Sequence, residues 1–129
     1  QRMMAAHQGV FITSPEYTAS VTPLVKNTID WISRARVRGE ANYTAFKDRV
    51  FAIGAASSGG GGGTRSLMAL RHILELGCGA LVIPEQISVA NAADAFDDMD
   101  NLKDERAAAA LKSLARRLVE VTRALARES

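Results

Sequence analysis

Cysteine, aromatic residues and any excess of charge are scarce in this chain of 129 residues, and each shortage excludes something. The single cysteine, Cys78, rules out an internal disulfide and supplies no metal-ligand spacing. It stands between Gly77 and Gly79 in an apolar stretch, with no basic neighbour to hold a thiolate, so a packed structural thiol is expected. Aromatics are 5% of the residues and the hydrophobic fraction is 47%, which points to an aliphatic core. Sixteen basic residues against fourteen acidic ones leave a net charge of +2, without the clustered basic face that nucleic acid demands. No apolar run approaches the roughly 20 residues of a membrane span, and nothing resembles a signal peptide, so the expected setting is cytoplasmic. His7 and His72 are isolated. Asp94, Asp97, Asp98 and Asp100 lack the glycine and terminal glutamate of a calcium loop, so a turn and helix cap are expected there and no metal site.

What is present is an alternation of strands and helices. Residues 10–13 form a short apolar run that stops at Ser14-Pro15. Thr22 is a good N-cap and Pro23 suits a first helical position, after which Leu24, Val25, Thr28, Ile29 and Ile32 recur at helical spacing. Lys26 and Asp30 make an i,i+4 pair. Residues 35–47 read as a charged connecting loop. Residues 49–55 are continuously apolar, as in a strand covered on both faces. Thr64 is expected to cap a second helix with a stripe of Leu67, Leu70, Ile73 and Leu74, ended by Gly77 in a left-handed conformation. A strand over 80–89, interrupted at Pro84, and a turn-rich segment over 91–104 follow. The last helix, 105–126, carries Leu111, Leu114, Leu118, Val121 and Leu125 on one face. The order implies right-handed crossovers and a parallel sheet with helices on both faces, in one domain without a linker or repeat.

The segment Ser57-Ser58-Gly59-Gly60-Gly61-Gly62-Gly63 lies between a buried strand and a helix start, where glycines allow backbone amides to approach a ligand. A phosphate loop of the nucleotide hydrolases requires Lys after the glycines, and Thr64-Arg65 stands there instead. A dinucleotide fingerprint requires a third glycine where Thr64 stands. A flexible turn without ligand and a flavin-binding turn remain.

The glycine loop has to be taken together with Ser14-Pro15-Glu16-Tyr17-Thr18 and Leu24-Val25-Lys26-Asn27-Thr28-Ile29-Asp30-Trp31. So combined, the chain resembles the NADPH-dependent FMN reductase family, whose pattern is a PEYN loop, an LKNAIDW helix and an SxGxxGG loop. The resemblance extends through Leu70-Arg71, the stretch 95–97 and Leu102, nearly the whole chain. It implies a flavodoxin-like three-layer α/β sandwich with a parallel sheet. It also implies an FMN-dependent NAD(P)H oxidoreductase passing hydride through bound FMN to free flavin, quinones or similar acceptors. On that resemblance Pro15, Glu16, Tyr17 and Thr18 meet the edge of the isoalloxazine ring, and Ser57, Ser58, Gly59, Gly60 and Gly63 approach its pyrimidine edge. Fixed amide dipoles there would stabilise negative charge near the ring without an acid or base side chain, so no catalytic residue is assigned. Trp31 sits on a helix that the resemblance places at a homodimer or homotetramer interface, with simple core packing as the other reading.

Two departures stand out. Thr18 replaces the family's asparagine. The family also opens with a strand, a GSxRxxS-type phosphate loop, a helix and a second strand, whereas Gln1-Arg2-Met3-Met4 resembles the end of the helix before its third strand. The expectation is therefore a domain truncated at its N-terminus, the C-terminal two-thirds of the family fold comprising its last three strands and their helices. Strand 10–13 would then be an open edge. The alternative is a cofactor-free flavodoxin-like module serving binding or assembly, or an inactive fragment.

Overall fold

A computed structural model of the chain describes residues 2–34 and 38–127. After a short helix α1 (Arg2–Ala5) come β1 (Gly9–Thr13), α2 (Pro23–Arg34), β2 (Val50–Ala56), α3 (Thr64–His72), β3 (Leu81–Val89) and α4 (Glu105–Arg127). The strands form one parallel sheet in the order β1-β2-β3. Alternation along β2 explains its unbroken apolar sequence. Phe51, Ile53 and Ala55 pack with Ile29 of α2 and Leu67 and Leu70 of α3, whereas Val50 and Ala52 pack with Leu114 of α4. Each face of the central strand is covered by helix, so all the predicted layers are present.

The helix starts follow from local chemistry. Thr22 Oγ1 accepts from the Val25 amide at 3.2 Å, as an N-cap does, and Lys26 meets Asp30 at 2.8 Å. The apolar stripe of α2 is narrower than its sequence suggests: Ile29 is 5% exposed, but Leu24 is 75% and Trp31 69% exposed. Trp31 therefore lies outside the core. Of the connecting segment read as a plain loop, residues 35–37 lie outside the described residues, and Thr44–Phe46 form a tight helical turn. That turn inserts Phe46 against Phe51 with ring centroids 5.8 Å apart.

Three further expectations are corrected. Gly63, with φ +78°, is the N-cap of α3, and Thr64 is its first residue, with its hydroxyl donating to Gly61 O at 2.7 Å. Gly77 does not end the helix in a left-handed turn. The last turn widens over Ile73–Gly77, with the Cys78 amide donating to Ile73 O, and the extra residue displaces the left-handed position to Gly79 at φ +64°. Pro84 does not break β3. The pairing shifts register between Phe51 and Ile53, whose partners are Val82 and Gln86, and the bulge lets the proline, which has no N–H, stay in the strand.

β1 is the edge of this sheet among the described residues, and a cavity of about 550 Å³ runs beside it, lined by Met4, Val10, Ile12, Val25, Ile29 and Phe46 among others. The Asp-rich segment forms turns, as expected: Asp97 Oδ1 accepts from the Met99 and Asn101 amides, and Asp104 Oδ1 caps α4 by accepting from the Arg106 amide. Those two backbone amides, first Asn101 and then Met99, hold the Asp97 carboxyl below its usual range. No group of three His, Cys, Asp or Glu side chains among the described residues is placed to hold a metal ion.

Candidate functional site

Parallel strands deliver their following loops to the same end of the sheet, and here the loops after β1 and β2 are neighbours because the strands are. The first loop is anchored by Ser14, which is 1% exposed. Its amide donates to Gly54 O at 3.0 Å, and its Oγ accepts from the Thr22 amide at 3.3 Å and donates to Pro15 O at 2.9 Å. From there the chain makes a two-residue turn. Tyr17 and Ser20 exchange amide-to-carbonyl bonds of 3.0 and 3.1 Å around Thr18 (φ +50°) and Ala19 (φ +63°). Two consecutive positive φ values are the pattern of a type I′ turn, which favours Asn-Gly, so the asparagine usual at position 18 has a backbone reason. Threonine, branched at Cβ, is strained there. Tyr17 stands 58% exposed.

The second loop is fastened on its far side to the segment after β3. The Ser57 amide donates to Val89 O at 2.9 Å, the Ala92 amide to Ser57 O at 2.9 Å, and the Asn91 amide to Gly59 O at 3.1 Å. Ser88 Oγ donates to Gly62 O at 2.8 Å. Its glycines fall into two kinds. Gly62 (φ +64°) and Gly63 (φ +78°) are buried, and a Cβ on either would strike Ser88 Oγ or Ala55 Cβ. Gly60 and Gly61 are exposed, and nothing lies within 4 Å of where a Cβ would stand. Their amides and that of Ser58 have no hydrogen-bond partner among the described residues. The first pair exists for close packing. The second leaves backbone donors open to a ligand.

The two loops are joined directly. Glu16 Oε1 accepts from the Arg65 and Ser66 amides at 3.1 and 3.3 Å, in the first turn of α3, and its Oε2 lies 3.4 Å from Arg65 Nη2. Ser66 Oγ, fully buried, donates to Pro15 O at 3.2 Å. Pro15, Glu16, Tyr17 and Thr18 are thereby brought to the same corner as Ser57, Ser58, Gly59 and Gly60. Gly63 sits beneath them against Ala55. Sequence reasoning missed Ser66 and Ser88, whose hydroxyls tie the corner together, because a lone serine on a helix or strand carries no periodic signal. Cys78, by contrast, lies between α2 and the turn that ends α3, with its thiol pushed up by burial and then by the charge of Asp30.

Among solved structures the chain is similar to the rubredoxin oxygen:oxidoreductase of the anaerobe Desulfovibrio gigas, with a TM-score of 0.63 and 16% identity over 92% of this chain and 24% of that one. It is also similar to an oxidoreductase from Corynebacterium diphtheriae, with a TM-score of 0.60 and 21% identity over 92% of this chain and 59% of that one. The chain thus spans about a quarter of the first protein and less than two-thirds of the second. At these identities the likeness shows the fold, which is flavodoxin-like. No curated protein matches the chain. Residues 1–94 match the family described as NADPH-dependent FMN reductase, which takes in both loops, the helix between them and all three strands, and the chain belongs to that family.

Proposed function

We propose that this chain is the ring-binding part of an FMN-dependent NAD(P)H oxidoreductase whose acceptors are free flavin, quinones or similar small molecules. The observation that carries the reading is the joined pair of loops. An exposed aromatic, Tyr17, and unpartnered amides at Ser58, Gly60 and Gly61 share one end of the sheet in a chain of this family. A flat, electron-rich ligand fits that corner, since the glycines leave room for its edge and the amides supply donors to it.

When bound, FMN supplies a centre that takes two electrons as hydride from the nicotinamide and passes them on. The chain's own part is binding and orientation. Pro15, Glu16, Tyr17 and Thr18 would frame one side of the ring, and Ser57, Ser58, Gly59 and Gly60 would line the other, where the open amides of Ser58 and Gly60 would serve as donors while those of Ser57 and Gly59 hold the loop's own fold. Gly63 acts from below, allowing the loop to lie close on β2. Amide dipoles held by a folded backbone need no reorganisation when negative charge grows at the ligand edge, so they favour the reduced form without proton transfer from a side chain. The reading needs no catalytic acid or base. Leu24 and Trp31, seven residues apart and exposed on α2, support a homodimer or homotetramer, and the setting that suits these substrates is the cytoplasm.

The test is a titration of FMN with the purified chain, followed by quenching of flavin fluorescence, together with NADPH oxidation in the presence of a quinone. Saturable quenching and quinone-dependent oxidation are expected. A chain that quenches no FMN at any accessible concentration ends the reading and leaves the cofactor-free module in its place.

A further inference from the structure

Glutamate is rarely buried unless it is paired, yet the Glu16 side chain is only 16% exposed in a loop whose neighbours Pro15 and Tyr17 are exposed. What holds it there is the start of α3. That helix begins from Gly63, which has no side chain to cap the first amides, and a helix start otherwise leaves its donors unsatisfied. Glu16 supplies the missing acceptor from 49 and 50 residues earlier, on a different loop, taking the Arg65 and Ser66 amides on one oxygen and facing the Arg65 guanidinium with the other. The carboxylate is complementary to the positive end of the helix dipole. The bond from Ser66 Oγ to Pro15 O runs in parallel, so the segment is held at two points.

We propose that Glu16 is a positioning residue of the flavin site: it locks the 15–17 segment in register with the glycine loop and closes the helix start to the ligand, leaving the glycine amides to meet the ligand's electron-rich edge. The inference rests on the flavin reading above and deepens it. The Arg65 and Ser66 amides of α3, already taken, are not donors to the ring. A second consequence follows from charge. A fixed carboxylate at this corner opposes the build-up of negative charge on a bound flavin. Glu16→Gln removes that charge and leaves the Arg65 cation without its partner, so the reduced flavin is favoured over the oxidised one.

Three readouts on the full chain test this, each on wild type, Glu16→Ala and Glu16→Gln. Hydrogen exchange at the Arg65 and Ser66 amides in ligand-free protein should accelerate about tenfold or more in Glu16→Ala and less in Glu16→Gln, which keeps an acceptor oxygen. FMN binding should weaken by about tenfold in Glu16→Ala, with Glu16→Gln between it and wild type. The midpoint potential of FMN bound to Glu16→Gln should rise, each tenfold gain for the reduced form appearing as about 30 mV for the two-electron couple. If exchange accelerates in Glu16→Ala while FMN affinity stays at the wild-type value, Glu16 only caps a helix and the proposal is overturned. An unchanged or lowered potential in Glu16→Gln overturns the charge argument. Wild type that binds no FMN defeats the flavin reading itself, whereas wild type that binds with Glu16→Ala unaffected defeats this inference alone.

Discussion

The five consecutive glycines look interchangeable in sequence, but the structure makes opposite predictions for two of them. Gly63→Ala places a Cβ 2.6 Å from Ala55 Cβ, on a backbone held at φ +78°. A left-handed conformation costs an ordinary residue roughly 1–2 kcal/mol, and forcing a methyl into a filled core typically costs about 1–3 kcal/mol more. Restricting the unfolded chain returns about 0.4–1 kcal/mol. The net is a loss of about 2–4 kcal/mol, and at roughly 3–4 °C per kcal/mol for a domain of this size the melting temperature falls by about 10 °C. Gly60→Ala meets nothing within 4 Å and carries no positive-φ strain, so its stability should stay within about 0.5 kcal/mol of wild type. The added methyl does stand over an open amide. FMN affinity should therefore drop about tenfold, or 1.4 kcal/mol. Thermal melts of the two variants and a fluorescence titration of Gly60→Ala decide the matter. Equal melting temperatures for the two variants would refute the division into packing and ligand glycines, and undiminished FMN affinity in Gly60→Ala would refute the ligand role of the open pair.

Three other outcomes are expected. Thr18→Asn should raise stability by about 1 kcal/mol, seen as a higher melting temperature, because asparagine tolerates the left-handed backbone that threonine occupies at φ +50°. Leu114→Ala should cost about 3 kcal/mol in urea denaturation with an unchanged slope, since this 1%-exposed side chain is the buried contact of α4 with Val50, Ala52 and Ile83. Cys78 keeps its proton in the folded chain above its ordinary value of 9.0, where the unfolded chain loses it. The associated stability is complete below that pH and lost as pH rises through the folded thiol's higher value, so Cys78→Ala should flatten part of the alkaline decline in melting temperature.

Local patterns determined most of the architecture by themselves. A continuous apolar run such as 50–56, a Thr-Pro helix start at Thr22-Pro23 and a leucine stripe along α4 act over one to four residues, and short-range geometry suffices to place them. The same is true of the candidate site in outline, because loops at the carboxyl ends of neighbouring parallel strands must meet. Tertiary structure decided what those loops do to each other. Gly63, with no side chain, can stand as the N-cap of α3 in place of Thr64 because the acceptor the first amides need arrives from Glu16, and no spacing within the helix announces a cap 49 residues away. Phe46 became core, Leu24 and Trp31 became surface, and Pro84 stayed in a strand for a related reason. Each outcome depends on which surface lies opposite, and that is set by the order of strands in the sheet.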